Sequence, residues 1–148
     1  MDLINDTIFK KCKNPEAQVF FLKMKGDYYR YIAEYASGDQ RNVAAQQAAD
    51  SYQKAHNIAV QEQDGEPVLS STNPLRLGLA LNFSVFYYEI KQDANNACKM
   101  ARDAFDEAIA NLDDIDDDYY KDATLIMQLL RDNLTLWTEE VEADGDQA

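Results

Sequence analysis

The sequence predicts an all-α fold, an antiparallel array of about five helices preceded by an N-terminal helix remnant. Three observations predict it. Apolar residues recur at three- and four-residue spacing through most of the chain, and no stretch alternates in the manner of a strand. Only 5 glycines and 3 prolines occur in 148 residues, and each proline falls where a helix can begin or a loop must run.

The elements follow in order. Residues 1–13 read as the helix remnant, with Ile4, Ile8 and Cys12 spaced four apart. Asn14-Pro15 reads as an N-cap and first helical residue, with Glu16 adding a favourable charge to the first turn. That helix runs through Val19, Phe20, Met24, Tyr28, Tyr31 and Tyr35 and stops at Ser37-Gly38. A second spans about Gln40 to Gln61, with Val43, Ala44, Ala48, Tyr52, Ala55 and Ala59 on one stripe. Asp64-Gly65-Glu66-Pro67 and Ser70-Ser71-Thr72 form a loop. Asn73-Pro74 opens a third helix, carrying Leu77, Leu81, Val85 and Tyr88 to about Lys91. A fourth runs from about Ala94 to Leu112, and a fifth from about Asp117 to Glu140. Residues 1–140 thus form the folded part, and 141–148 an acidic tail expected to be disordered. No fixed repeat period with recurring signature positions runs through the chain, which disfavours a helical solenoid.

Composition bounds the function. With 46% hydrophobic residues the chain can build a core. A formal net charge of −13 argues against a partner read through nucleic-acid phosphates and against adsorption to anionic membranes. No apolar run approaches the roughly 20 residues that cross a bilayer, and the N-terminus has no signal-peptide core. Cys12 and Cys98 lie far apart without metal-ligand spacing and read as buried or half-buried thiols in a reducing, cytoplasmic compartment.

Nothing points to catalysis, a metal or a cofactor. The single histidine, His56, sits mid-helix with no nucleophile assigned to it by a motif. The run Asp113-Asp114-Ile115-Asp116-Asp117-Asp118 invites a calcium loop. Placing Asp114, Asp116 and Asp118 at its first, third and fifth positions puts Tyr119 where glycine is required and Leu125 where the bidentate glutamate belongs. These acids instead suit the N-terminus of the last helix. A phosphate-binding glycine loop and a nucleophile elbow are both absent.

Three segments carry a resemblance. They are Lys23-Met24-Lys25-Gly26-Asp27-Tyr28-Tyr29-Arg30-Tyr31, the run from Leu77-Gly78-Leu79-Ala80-Leu81-Asn82 to Tyr87-Tyr88-Glu89-Ile90, and the run from Tyr120-Lys121-Asp122 to Leu134-Thr135-Leu136-Trp137. In this order and at this length they resemble the phosphate-site helix, the groove helix and the C-terminal signature helix of the 14-3-3 family. The likeness covers nearly all of residues 15–138.

Residue chemistry and the resemblance meet at two places. Lys23 and Arg30, seven positions apart on a helix, project from nearly one side, with Tyr31 one step round. A guanidinium fork can hold two phosphate oxygens and a phenol can donate one more hydrogen bond. Spacing alone favours solvated surface charges, some paired with nearby acids. The resemblance implies that Arg30 and Tyr31 contact a phosphate directly. Leu81, Val85 and Glu89 recur every four residues, flanked by Asn82. Leu125 or Ile126, Leu129, Asn133, and Leu136 or Trp137 share a face of the last helix. Such stripes are most often core, but Asn82 and Asn133 each offer a donor and an acceptor that suit a peptide main chain. The resemblance implies that these amides hold the main chain of a bound segment, with the leucines, Val85 and Ile126 as the apolar wall. Lys23, Glu89 and Trp137 also match groove-side positions.

The function implied is a non-enzymatic, cytoplasmic, eukaryotic adaptor in signal transduction, binding phosphoserine and phosphothreonine segments of client proteins. Two departures qualify it. Measured against the family, the chain begins within what would be the fourth helix. The helices that carry most of the dimer interface and two further basic residues of the phosphate cradle would lie before it. Each lost charge-assisted contact costs about 1.5–3 kcal/mol. The faces of residues 1–35 that pack on those helices would be exposed, inviting self-association. The second departure is the Asp64–Thr72 loop, longer than the family's usual connection and expected to act only locally. The alternative is therefore a truncated helical scaffold whose binding is lost or phosphate-independent. A tail folded back near the groove is a further, autoinhibitory reading.

Overall fold

The computed structural model describes residues 15–63, 65–114 and 117–147. The expected remnant at residues 1–13 and the Asn14 cap lie outside this range. Five helices account for most of the described chain: α1 (Pro15–Tyr35), α2 (Gly38–Val60), α3 (Pro74–Glu89), α4 (Ala94–Ala110) and α5 (Asp117–Gln147). The fold is all-α. The chain divides into two compact units between Ser70 and Ser71.

The first unit is a helical hairpin. α1 and α2 pack along their lengths across the link Ala36-Ser37, and Gly38 opens α2 at φ +60°, a left-handed conformation that costs glycine little. α1 buries Val19, Leu22, Gly26, Arg30 and Ala33; α2 buries Ala44, Ala45, Ala48, Tyr52, Ala55 and Ala59. The α2 stripe therefore falls as its spacing predicts, save for exposed Val43. On α1 the apolar spacing splits. Val19 is buried, whereas Phe20, Met24, Tyr28, Tyr31 and Tyr35 are all exposed. Two helices can close this tightly because Gly26 has no side chain. A Cβ there would stand 2.7 Å from the Tyr52 ring.

The loop after α2 contains a feature the spacing does not predict. Glu62–Gln63 (β1) and Glu66–Pro67 (β2) pair antiparallel, Glu62 opposite Pro67. The Val68 and Leu69 amides donate to the Gln61 and Ala59 carbonyls, both at 2.9 Å, and Leu69 is buried. The loop is thus folded back on the end of α2.

The second unit packs α3, α4 and α5 together. Its core joins Leu77 of α3, Ala97, Cys98, Ala101 and Ala108 of α4, and Ala123, Met127, Leu130 and Trp137 of α5. Four of these nine side chains are alanines, so the helix axes can approach closely around a few large groups. Arg76 pairs with Glu107 at 2.9 Å, tying α3 to α4. The caps follow the sequence. The Asn73 carboxamide oxygen accepts from the Leu75 amide at 2.8 Å, with Pro74 as first helical residue. Asp93 accepts from the Asn96 amide at 3.2 Å, and Asp117 and Asp118 occupy the first turn of α5. The α5 backbone continues as helix through 141–147, the stretch expected as a disordered tail. It carries no proline, and Glu139 to Ala143 are mostly good helix formers that propagate a helix already begun.

Candidate functional site

In the first unit the heptad spacing does bring Lys23 and Arg30 to one place, around a residue that the sequence reading passed over. Asp27, a half-buried carboxylate, receives Lys23 Nζ on Oδ2 at 3.3 Å and lies 3.8 Å from Arg30 Nη2 through Oδ1. From α2, the Tyr52 hydroxyl donates to that same Oδ1. Its ring is fully buried. Burial, first, and then the hydrogen bond and charge of Asp27 push the Tyr52 phenol far above its ordinary value of 10.0, with Arg30 opposing. Tyr52 therefore stays a protonated donor at all ordinary pH.

Arg30 is only 8% exposed. Its guanidinium lies 5.0 Å from the Tyr31 ring centroid, within cation–π range, and Tyr31 itself faces solvent. The pair with Asp27, at 3.8 Å, is longer than a hydrogen bond. Arg30 Nε is buried with no hydrogen-bond partner among the described residues. A guanidinium has five donors and no acceptor, so this one is charged, sheltered and under-used.

In the second unit the predicted residues separate into two kinds. Leu81 and Val85 of α3 and Ile126 of α5 lean on the core while staying partly open. Asn82 and Asn133 are half-buried and Glu89 is exposed. Leu125 and Leu129 are 58% and 44% exposed, with Leu136 also open, so the outward face of α5 runs through Leu125, Leu129 and Leu136. Trp137 does not share it. At 3% exposure it belongs to the core, stacked on Tyr88 with ring centroids 4.8 Å apart. The Tyr88 hydroxyl donates to the Glu140 carboxylate, fastening α5 to α3 beyond the tryptophan. Trp137 therefore positions the helix that carries Asn133 and offers almost no surface of its own. A shallow concavity of about 570 Å³ follows α5 past Gln128, Arg131, Asp132 and Thr135; neither asparagine lines it.

Among the described residues no group of three or more His, Cys, Asp or Glu side chains is placed to hold a metal ion. His56 lies exposed on α2, and Cys98 is a free thiol in the α4 core. No helix among the described residues is long and apolar enough to cross a membrane.

Comparison with known proteins agrees in one direction. A family model described as 14-3-3 protein matches residues 1–138. The chain is 52% identical over 147 residues to a 14-3-3 protein zeta of Bombyx mori, covering 99% of this chain and 57% of that one. It is 53% identical over 147 residues to a 14-3-3-like protein C of Glycine max, covering 99% and 55%. It is 54% identical over 144 residues to a 14-3-3 protein homolog 1 of Schistosoma mansoni, covering 97% and 54%. The chain thus spans little more than half the length of the curated relatives it matches. A match over residues 1–138, with identity above half to relatives this widely spread, places the chain in the 14-3-3 family.

Proposed function

We propose that this chain is a non-enzymatic, cytoplasmic adaptor that binds phosphoserine or phosphothreonine segments of client proteins. The phosphate falls to Arg30, assisted by Tyr31 and Lys23. The client's main chain falls to Asn82 and Asn133, and its apolar side chains to Leu81, Val85, Leu125, Ile126 and Leu129. Glu89, exposed near the end of α3, is a flanking polar contact.

The state of Arg30 is the observation that carries this reading. A buried guanidinium N–H with no acceptor, as at Arg30 Nε, is costly, of order 1–3 kcal/mol. An incoming phosphate supplies charge and oxygens to a guanidinium that already lies sheltered beside a phenol. A purely structural arginine at this depth would have its donors matched within the protein. Free thiol chemistry at Cys98 suits a cytoplasmic setting.

The test is a fluorescence-polarisation titration of the chain with a phosphoserine peptide and its unphosphorylated twin, repeated on Arg30→Ala with circular dichroism on both. Phosphate-dependent binding that falls by roughly tenfold or more in the alanine variant, with helicity retained, is the expected result. A second reading rests on Phe20, Met24, Tyr28, Tyr31 and Tyr35, five apolar or aromatic side chains exposed along α1. They favour phosphate-independent association through that helix. Equal binding of the two peptides, unaffected by Arg30→Ala, would support it and remove the first.

A further inference from the structure

The cluster around Arg30 contains its own anion. Asp27 stands between the two cations of the site, 3.3 Å from Lys23 Nζ and 3.8 Å from Arg30 Nη2, where an arriving ligand would bring negative charge. It is not held there by those cations alone. The Tyr52 hydroxyl, from the opposite helix, engages the very oxygen that faces Arg30. That bond occupies Oδ1 while the ion pair to Arg30 remains longer than a hydrogen bond, and Arg30 Nε stays unpartnered.

We propose that Asp27 is an internal counter-ion which a ligand phosphate competes against, and that Tyr52 keeps this carboxylate from closing on the Arg30 fork. The proposal rests on reading Arg30 as the phosphate contact and adds to it what sets the affinity. Buried cations need a partner when no ligand is present, and Asp27 supplies a partial one. It stabilises the empty site and repels a phosphate arriving at the same guanidinium. Stability and affinity are therefore set against each other at one residue. Tyr52 shifts the balance toward binding. Without its hydroxyl the carboxylate is free to approach Arg30 and take up the donors that a phosphate would use. The two side chains touch one another, yet their removal acts on affinity with opposite signs.

This sign pattern separates the proposal from a merely structural role, in which both substitutions would weaken binding together. The experiment compares the full chain with Asp27→Asn and Tyr52→Phe, both close in shape to the originals. Each is titrated by fluorescence polarisation with a phosphoserine peptide and its unphosphorylated twin and melted by circular dichroism. Asp27→Asn should lower the melting temperature yet tighten phosphopeptide binding about three- to tenfold, leaving the unphosphorylated twin unchanged. Tyr52→Phe should weaken phosphopeptide binding by a similar factor. Weaker binding in both variants, or no change in Asp27→Asn, overturns the proposal while leaving Arg30 as the contact. A parent chain that does not distinguish the two peptides overturns the Arg30 reading and this inference with it.

Discussion

Tyr52 is where single-residue chemistry can be read most directly. Its phenol is raised above 10.0 first by burial, then by Asp27. In the unfolded chain it ionises near pH 10, whereas the native chain keeps its proton to higher pH. The native state therefore binds one more proton than the unfolded state above about pH 10, and stability falls there by about 1.4 kcal/mol per pH unit from this group. Below that pH both states are protonated and the group contributes no pH dependence. The chain has 9 tyrosines, so the slope of one alone is isolated by difference. Urea unfolding at pH 9 and pH 11 should show a smaller loss in Tyr52→Phe than in the parent. Equal losses would mean that the buried hydroxyl ionises normally. The sequence made half of this cluster legible. Lys23, Asp27 and Arg30 stand at helical spacings of four and three, where ion pairs are expected. Tyr52 was readable only as core. Its bond to Asp27 spans 25 residues, and no local pattern encodes such a pairing.

At the level of elements, helix starts were the most legible features because capping is local chemistry. Asn73-Pro74 begins α3 as read, and α4 starts at Ala94 as expected, behind an Asp93 cap; in each a side-chain oxygen satisfies a first-turn amide within three residues. Helix ends were less so. The chain leaves α3 through Gln92 at φ +53°, a left-handed residue where glycine would have announced the stop. The β1–β2 pair was invisible because two-residue strands have no period to detect; its one signal is the Asp64-Gly65 dipeptide. On α5 the spacing left Leu125 or Ile126, and Leu136 or Trp137, undecided. Packing of Ala123, Met127 and Leu130 against Leu77 of α3 and the α4 alanines settles it, turning Trp137 inward and Leu136 outward. The cap of α3 is worth testing because that helix carries Leu81, Asn82 and Val85. Asn73→Ala should cost about 1 kcal/mol, and Asn73→Asp or Asn73→Ser much less. At this length that is a fall of about 2–4 °C in the melting midpoint. An alanine variant as stable as the parent would show that the Pro74 start alone sets the helix.

Over the whole molecule the dominant quantity is charge, 27 acidic against 14 basic residues, for a net −13. On a phosphorylated ligand it would act with a sign opposite to that of the proposed Arg30 site. Arg30 and Lys23 would attract phosphate over 3–4 Å, a distance at which added salt screens weakly because it is well inside the Debye length of about 10 Å at 0.1 M. The acids spread over the remaining surface repel the same ligand from distances of that length or more, and salt removes that repulsion effectively. Ligand association at a cationic surface normally weakens as salt rises. Here the local attraction survives while the distant repulsion is lost. For a peptide whose only charge is its phosphate, association should therefore become faster between 10 and 150 mM NaCl. The melting temperature should rise over the same range, as self-repulsion in the compact state is screened. Stopped-flow association and thermal melts on one set of samples measure both. Faster association with a rising melting temperature supports a small cationic site in a repelling field. Slower association would mean that the ligand meets an extended cationic face, and Arg30 would no longer be the place where the phosphate binds.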